Sequence, residues 1–298
     1  MACVVGVDIG GTKARVCVQH DAGAPSTFDE FPTGPAMDGP RLAAALRARL
    51  DGAAVRAAAI GVAVPGLVEN GRVVASDVLP ALAGWMPAEA LGASAPLVVT
   101  LNDAKAGLVD AAAGEPTDAT VALVIVGTGI GAAFLAHGRA VLGATGWAGE
   151  LGSTPIERDG RIVRLDDAAA GAAILRSLGT DPAGVHARLA AREPSACEAV
   201  LRAGQALGIG LATLVNLLNP GRLVLAGGTL RYPGYVEAAR DALGTWALAP
   251  LLAACRVDIP SDGADLVCRG AARHARAAAA RLGRLERDAP EDDAGRRR

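Results

Sequence analysis

Three turns rich in glycine and threonine, at residues 10–12, 127–129 and 227–229, are the parts of the sequence best suited to chemistry. Each follows a run of β-branched apolar residues, which is typical of a buried strand. A glycine turn at a strand end lets a phosphate approach bare backbone N–H groups, and a threonine hydroxyl adds a donor. Three such turns in one chain predict a nucleotide bound between two similar halves.

Spacing argues against two familiar nucleotide motifs. A P-loop reads G-x-x-x-x-G-K-[ST], but here Thr12 separates Gly11 from Lys13, and Ala14 follows. The segment 127–131 departs from the dinucleotide fingerprint because position 132 is alanine. Neither a P-loop nor a dinucleotide fold is therefore expected.

Strands and helices alternate along the chain, which predicts an α/β protein with two related halves and a cleft between them. Strands are expected at 3–9, 14–19, 57–64, 97–101, 121–126 and 222–226, and helices at 40–50, 103–114, 168–178, 195–218, 235–247 and 264–282. The predicted domains are 1–115 and 116–285, with the last helix a candidate to return to the N-terminal domain. Residues 286–298 are charged and are predicted to form a disordered tail.

Composition limits the class of protein. The net charge of −2 gives no reason to expect nucleic-acid or membrane partners, and five scattered cysteines without a CxxC pair argue against a disulfide framework. The N-terminus lacks the pattern of a signal peptide, and no apolar run approaches the roughly 20 residues that span a bilayer. These features predict a soluble, cytoplasmic protein.

The residues in and between the turns resemble the ROK family of bacterial sugar kinases, over nearly the whole chain. The resemblance implies two actin-like ATPase (ribonuclease H-like) domains, ATP as phosphate donor, Mg²⁺, a hexose acceptor phosphorylated at hydroxyl 6, and a homodimer. The matching motifs are Asp8-Ile9-Gly10-Gly11-Thr12-Lys13, Val64-Pro65-Gly66 with Val68-Glu69-Asn70-Gly71, Asn102-Asp103-Ala104, Gly127-Thr128-Gly129-Ile130-Gly131, Gly146-Trp147-Ala148-Gly149-Glu150-Leu151-Gly152 and Gly227-Gly228.

Asp103 is the candidate general base, because a carboxylate at the end of a buried strand can accept the proton of a sugar hydroxyl. A helix N-cap is the structural alternative, and both roles are compatible. By resemblance, the sugar site contains Gly66, Asn102, Asp103, Glu150, Ser153 and Asp166. For Glu150, the alternative is an ordinary surface glutamate.

The nucleotide side is expected to use the three turns together with the carboxylate before the first of them. Asp8 could organise Mg²⁺, through water, or could stabilise the turn. Lys13 could neutralise phosphate charge or lie in solvent. The candidate nucleotide-binding residues are Asp8, Gly10, Gly11, Thr12, Lys13, Thr128, Gly129, Gly227 and Gly228.

The zinc motif of the ROK family is missing. The family places a histidine and three cysteines at positions that here hold Ser153, Glu157, Asp159 and Arg164. Structural zinc needs cysteine or histidine in tetrahedral geometry, so no zinc is predicted. An ion-pair network among Glu157, Asp159 and their neighbouring arginines is the candidate replacement. Ser153 replaces a sugar-contacting histidine and Asp166 replaces a glutamate, so the substrate is expected to differ from plain glucose.

Three alternatives remain open. The altered sugar side could suit an amino sugar such as kanosamine in specialised metabolism. A non-catalytic sugar-sensing regulator is the alternative of another class, although the first strand is expected from residue 3, before which the given sequence has no helix-turn-helix. A degenerate binder is the third, and the retention of Asp103 and all three turns argues against it.

Overall fold

Two five-stranded mixed sheets with the same strand order form the frame of the protein, as a computed structural model describes it for residues 3–20 and 27–288. The strands are β1 (Cys3–Ile9), β2 (Lys13–His20), β3 (Thr27–Pro32), β4 (Ala57–Val64), β5 (Leu67–Glu69), β6 (Arg72–Ala75), β7 (Val98–Asn102), β8 (Val121–Val126), β9 (Ile130–Ala136), β10 (Arg139–Ala140), β11 (Pro155–Arg158), β12 (Arg161–Arg164), β13 (Arg222–Ala226) and β14 (Arg256–Asp258).

Helices fill the connections between the strands and cover the sheets. They are α1 (Gly39–Gly52), α2 (Pro87–Leu91), α3 (Asp103–Ala111), α4 (Leu165–Ala169), α5 (Gly171–Leu178), α6 (Pro182–Ala190), α7 (Pro194–Leu218), α8 (Tyr235–Trp246), α9 (Ala249–Ala254) and α10 (Leu266–Asp288).

The two sheets repeat one topology. The N-terminal sheet has the order β3-β2-β1-β4-β7 and the C-terminal sheet the order β10-β9-β8-β13-β14. In each, the central strand pairs antiparallel with the strand that follows it and parallel with a later strand. The carboxyl ends of parallel strands meet at one edge, so the duplication places the predicted turns at corresponding edges of the two halves.

The two halves are joined through helices α3 and α10. Helix α10 packs on β1 and β4, while α3 packs on the C-terminal sheet and against α10. Glycine permits the close approach. A Cβ added to Gly6 or Gly61 would lie 2.0 Å from a carbonyl oxygen of α10, and one added to Gly270 would lie 1.8 Å from the carbonyl oxygen of Ala106. The last helix therefore belongs with the N-terminal sheet.

The Gly61→Ala variant should lower the free energy of unfolding by about 1–3 kcal/mol, because the new methyl group would collide with the α10 backbone at Ala271. Urea denaturation measures the effect. The matched control is Gly52→Ala at the end of α1, where an added Cβ meets nothing within 4 Å. Equal stability of the two variants would contradict the close packing described for α10.

The predicted helix 168–178 is wrong as a single element. The chain is extended at Ala170, which separates α4 from α5. The break lets the first turn of α5 donate backbone hydrogen bonds to the second glycine turn, from Gly171 N to Gly127 O (2.9 Å) and from Ala172 N to Thr128 O (3.1 Å). Tertiary hydrogen bonding therefore overrides the continuous helical pattern.

Other boundaries differ less. Helix α3 ends at Ala111, three residues before the predicted end. Helix α10 continues to Asp288, so residues 286–288 of the predicted disordered tail are helical, and the rest of that tail lies outside the described residues. Among the described helices, α7 alone is long and apolar enough to cross a membrane by length and composition, and 61% of its most apolar window is buried in the protein.

Candidate active site

Two partly buried carboxylates lie at the carboxyl edge of the N-terminal sheet. Asp103 directly follows β7, and Asp8 is the penultimate residue of β1. Burial raises the pKa of Asp103 to about 6, with a contribution from the Glu150 carboxylate and an opposing one from the backbone N–H of Ala104. Burial and repulsion by Asp103 raise the pKa of Asp8 to about 7, although Arg15 opposes the shift. Perturbed carboxylates of this kind are common at catalytic sites.

Asn102, rather than Asp103, is the N-cap of α3. The Asn102 side-chain oxygen accepts a hydrogen bond from Lys105 N (3.2 Å), and its amide nitrogen donates to Gly66 O (3.0 Å). The Asp103 carboxylate accepts from Ala104 N (2.8 Å). Asn102 therefore fills the capping role, and it also ties β7 to Gly66 in the segment 64–71, the predicted sugar-side loop.

The first glycine turn is held by its own hydrogen bonds. Gly10 N donates to Lys13 O (2.9 Å), and the hydroxyl of Thr33 donates to Gly10 O (2.6 Å). Thr12 is exposed. Lys13 is also exposed and forms a 2.8 Å ion pair with Glu30, which favours the solvent alternative for this lysine.

The second and third turns interlock. Gly227 has a φ of +111°, and a Cβ added there would lie 2.2 Å from Val126 O, so only glycine fits. The buried hydroxyl of Thr229 donates to Gly127 O (3.0 Å). Thr128 and Gly228 are exposed, and an added Cβ at Gly228 meets nothing within 4 Å. The two turns thus form one rigid edge with exposed backbone and hydroxyl groups.

Asp166 fastens the second turn to the sugar side. Its carboxylate accepts a hydrogen bond from Ile130 N (2.7 Å), and a Cβ on Gly152 would lie 2.4 Å from the carboxylate Oδ1. Burial raises the pKa of Asp166, and the Ile130 N–H opposes that rise. Glu150 and Ser153 are exposed on the same segment as Gly152. Asp166 therefore has a positioning task in addition to its predicted sugar contact.

Asp77 also lies beside the candidate site, although the sequence did not predict a role for it. The residues on either side of Asp77 pack against two predicted site segments. A Cβ on Gly66 of the sugar-side loop would lie 2.9 Å from Ser76 Cα, and one on Gly11 of the first glycine turn would lie 2.6 Å from Val78 Cγ1. Burial raises the pKa of both Glu150 and Asp166, and the Asp77 carboxylate adds to each rise. No glycine turn and no strand end was predicted at this residue, so the sequence alone did not identify it as part of the site.

The segment with the missing zinc motif folds as a hairpin of β11 and β12. The predicted ion-pair network is present only in part. Glu157 accepts a hydrogen bond from Gly160 N (2.5 Å), and Asp159 pairs with Arg202 of α7 and weakly with Arg158 (3.9 Å). Arg158 also donates to Ala168 O (3.0 Å). Of the four positions that hold zinc ligands in the family, 157 and 159 carry carboxylates engaged in these contacts, and 153 and 164 carry serine and arginine. The residues therefore do not fit a structural zinc site.

Metal analysis of the purified protein should therefore find no stoichiometric zinc, and a strong chelator should leave its melting temperature unchanged. A structural zinc site contributes folding free energy, so its removal would be visible as a lower melting temperature. One zinc per chain, or destabilisation by the chelator, would contradict this prediction.

Asp8 and the glycine turns at the edges of the two sheets have the chemistry to bind a nucleotide with a divalent cation. Asp8 and Asp103 repel each other, and a cation with oxygen ligands would relieve that repulsion. The exposed turns add backbone N–H groups and the hydroxyls of Thr12 and Thr128, which suit phosphate oxygens.

The strand order and the placement of the turns define the actin-like ATPase fold. The ROK glucokinase of Streptomyces griseus, solved with glucose and AMPPNP, has a TM-score of 0.78 at 22% identity and covers 93% of this chain and 100% of its own. The ROK hexokinase of Thermus thermophilus has a TM-score of 0.73 at 30% identity and covers 93% and 99%. The predicted fold class is confirmed.

The ROK family model matches residues 4–278, so the chain belongs to the ROK family. The bifunctional enzyme NanE/NanK of Brucella melitensis biotype 1 is a curated relative, 30% identical over 162 residues. The match covers 52% of this chain and 31% of the relative, so the chain spans less than a third of that protein.

Proposed function

We propose that the protein is an ATP-dependent sugar kinase that phosphorylates a hexose or a hexose derivative, at hydroxyl 6. The observation that carries the proposal is the placement of Asp103 at the strand edge in a ROK chain, with a pKa raised to about 6. A base with that pKa is mostly ionised at neutral pH and still accepts a proton readily. The sugar-kinase names of the structural relatives support the same class of activity.

In the proposed reaction, Asp103 accepts the proton of the acceptor hydroxyl while the hydroxyl oxygen bonds to the γ-phosphorus. The bond from that phosphorus to the bridging oxygen breaks, and ADP leaves. Such transfers depend mainly on positioning and charge stabilisation. The turns at 10–12 and 127–129 hold phosphate groups, and the turn at 227–228 contacts the adenosine. Asp8 is the residue that would hold Mg²⁺, through water, and the bound ion would neutralise charge on the phosphates.

On the acceptor side, Glu150 receives hydrogen bonds from sugar hydroxyls, with Gly66, Asn102, Ser153 and Asp166 around the same ligand. An amino sugar such as kanosamine is the second candidate acceptor. The observation that favours it is a cluster of carboxylates: besides burial, Asp77 raises the pKa of both Glu150 and Asp166, and Asp166 raises that of Glu150. An ammonium group would relieve that repulsion.

A panel of neutral hexoses, N-acetylated hexosamines and free amino sugars, assayed for ADP release, tests the proposal. We expect release that depends on the sugar, with one class preferred by kcat/KM. Binding of a sugar without any ADP release would contradict the kinase and favour the sugar-sensing regulator.

A further inference from the structure

Lys105 is a charged residue beside the site that the proposed reaction does not use. It is one of two lysines in the chain and lies in the first turn of α3, two residues after Asp103. Its side chain is only partly exposed, and burial lowers its pKa. Lysine is rarely withdrawn from water without a partner, so its contacts indicate a task.

The Lys105 ammonium group donates a hydrogen bond to the backbone oxygen of Gly146. Gly146 lies four residues before Glu150 and has a φ of +87°, a conformation that suits glycine. A Cβ added to Gly146 would lie 3.9 Å from Val68 O in the predicted sugar-side loop. The contact therefore joins the helix of the base to the segment of Glu150, next to that loop.

The same ammonium group acts on Glu150 electrostatically. Burial raises the pKa of the Glu150 carboxylate, and three charged groups from three elements modify that rise. Lys105 of α3 opposes it, while Asp166 of α4 and Asp77 of the segment after β6 add to it. Asp103 and Glu150 in turn favour the charged form of Lys105. Among the described residues, Lys105 is the one cation that opposes the raised pKa of Glu150.

We propose that Lys105 is a positioning residue, which ties the start of α3 to the segment 146–150 and so orients the Glu150 carboxylate towards the sugar hydroxyls. The proposal rests on the proposed kinase activity for its kinetic consequences, whereas the contact itself rests on the fold. Lys105 acts through Glu150 and does not touch the reacting atoms.

The Lys105→Met variant should raise the KM for the sugar about tenfold and change the KM for ATP by less than about twofold, because one charge-assisted hydrogen bond is lost on the acceptor side alone. The acid limb of kcat/KM for the sugar should move to higher pH, since Glu150 loses the cation that lowers its pKa. Lys105→Arg keeps the charge and should leave the acid limb in place.

The matched control is Arg47→Met. Arg47 is an exposed cation on α1 that donates to the backbone oxygen of Ala90 (2.8 Å), away from the site. This variant loses the same type of hydrogen bond and should keep the kinetic constants and pH profile of the wild type. Equal kinetics for Lys105→Met and Arg47→Met would overturn the proposal.

A double-mutant cycle tests whether Lys105 acts through Glu150. The Lys105→Met/Glu150→Ala protein should have a sugar KM within about twofold of Glu150→Ala alone, because the side chain that Lys105 positions is then absent. Multiplicative effects of the two substitutions on the sugar KM would overturn the proposal.

Hydrogen exchange gives a readout that does not depend on turnover. The amides of 146–150 should exchange faster in Lys105→Met than in the wild type and remain unchanged in Arg47→Met. Unchanged exchange in Lys105→Met would overturn the positioning role. A wild-type protein without sugar turnover but with this exchange pattern would overturn the proposed function and leave the positioning contact supported.

Discussion

The Asp103→Asn variant should lose about 10²- to 10⁴-fold in kcat, the usual contribution of a positioned general base. Asparagine can still accept the hydrogen bond that Ala104 N donates to Asp103, so the start of α3 should keep its structure. The amide cannot take the proton of the acceptor hydroxyl. The KM for the sugar should therefore change much less than kcat, which ADP-release kinetics measure directly.

The control for this substitution is Asp38→Asn. Asp38 is the N-cap of α1, accepts a hydrogen bond from Arg41 N (2.9 Å) and is not one of the candidate site residues. Asparagine is an equally good cap, so both stability and kcat should stay at the wild-type values. A kcat for Asp103→Asn that equals that of Asp38→Asn would exclude Asp103 as the base.

The Asp8→Asn variant should be more stable than the wild type at pH 8 and far less active. In the folded wild type, burial and repulsion by Asp103 raise the pKa of Asp8 to about 7, above the ordinary value of 3.8. Ionisation of Asp8 is thus unfavourable in the folded protein, and stability is lost as the pH rises from about 4 through 7. Removing the carboxyl group should raise the free energy of unfolding at pH 8 by about 1–3 kcal/mol, and the gain should vanish below pH 4.

The activity of Asp8→Asn should fall because the cation loses its carboxylate. A loss of about 100-fold in kcat/KM for the Mg²⁺ complex of ATP is expected, since a bound metal stabilises several kcal/mol of transition-state charge. Mg²⁺ with nucleotide should also raise the melting temperature of the wild type more than that of the variant. Asp118→Asn, at an exposed aspartate, is the control. Full activity of Asp8→Asn, or lower stability at pH 8, would contradict the role given to Asp8.

The sequence was sufficient for six of the fourteen described strands and for the glycine turns. Buried strands such as β1 and β8 are continuous apolar runs, and the turns after them need residues without a side chain, so both features are local. The break at Ala170 could not be predicted, because it depends on hydrogen bonds from α5 to residues 127 and 128, over 40 residues earlier. The short hairpin of β11 and β12 was also missed, since its strands are mostly exposed and carry no apolar alternation.

The residues of the candidate site could be predicted where the residue type and its local sequence motif were enough to identify them. Asp103 follows a strand and matches a family motif, so its position was expected. The tasks of neighbouring residues depended on distant partners. Lys13 pairs with Glu30 of another strand, Asp166 holds Ile130, and Asp77 is brought to the site by the packing of residues on either side of it. Such contacts are set by tertiary structure and leave no local signal.

Phosphoryl transfer to the sugar with Asp103 as the base is tested most directly by ³¹P NMR of the reaction mixture with ATP, Mg²⁺ and the preferred sugar of the panel. A phosphate-ester signal of the sugar should grow in step with ADP for the wild type and be lost with Asp103→Asn. Growth of inorganic phosphate in place of a sugar ester, or an undiminished ester signal with Asp103→Asn, would contradict this mechanism.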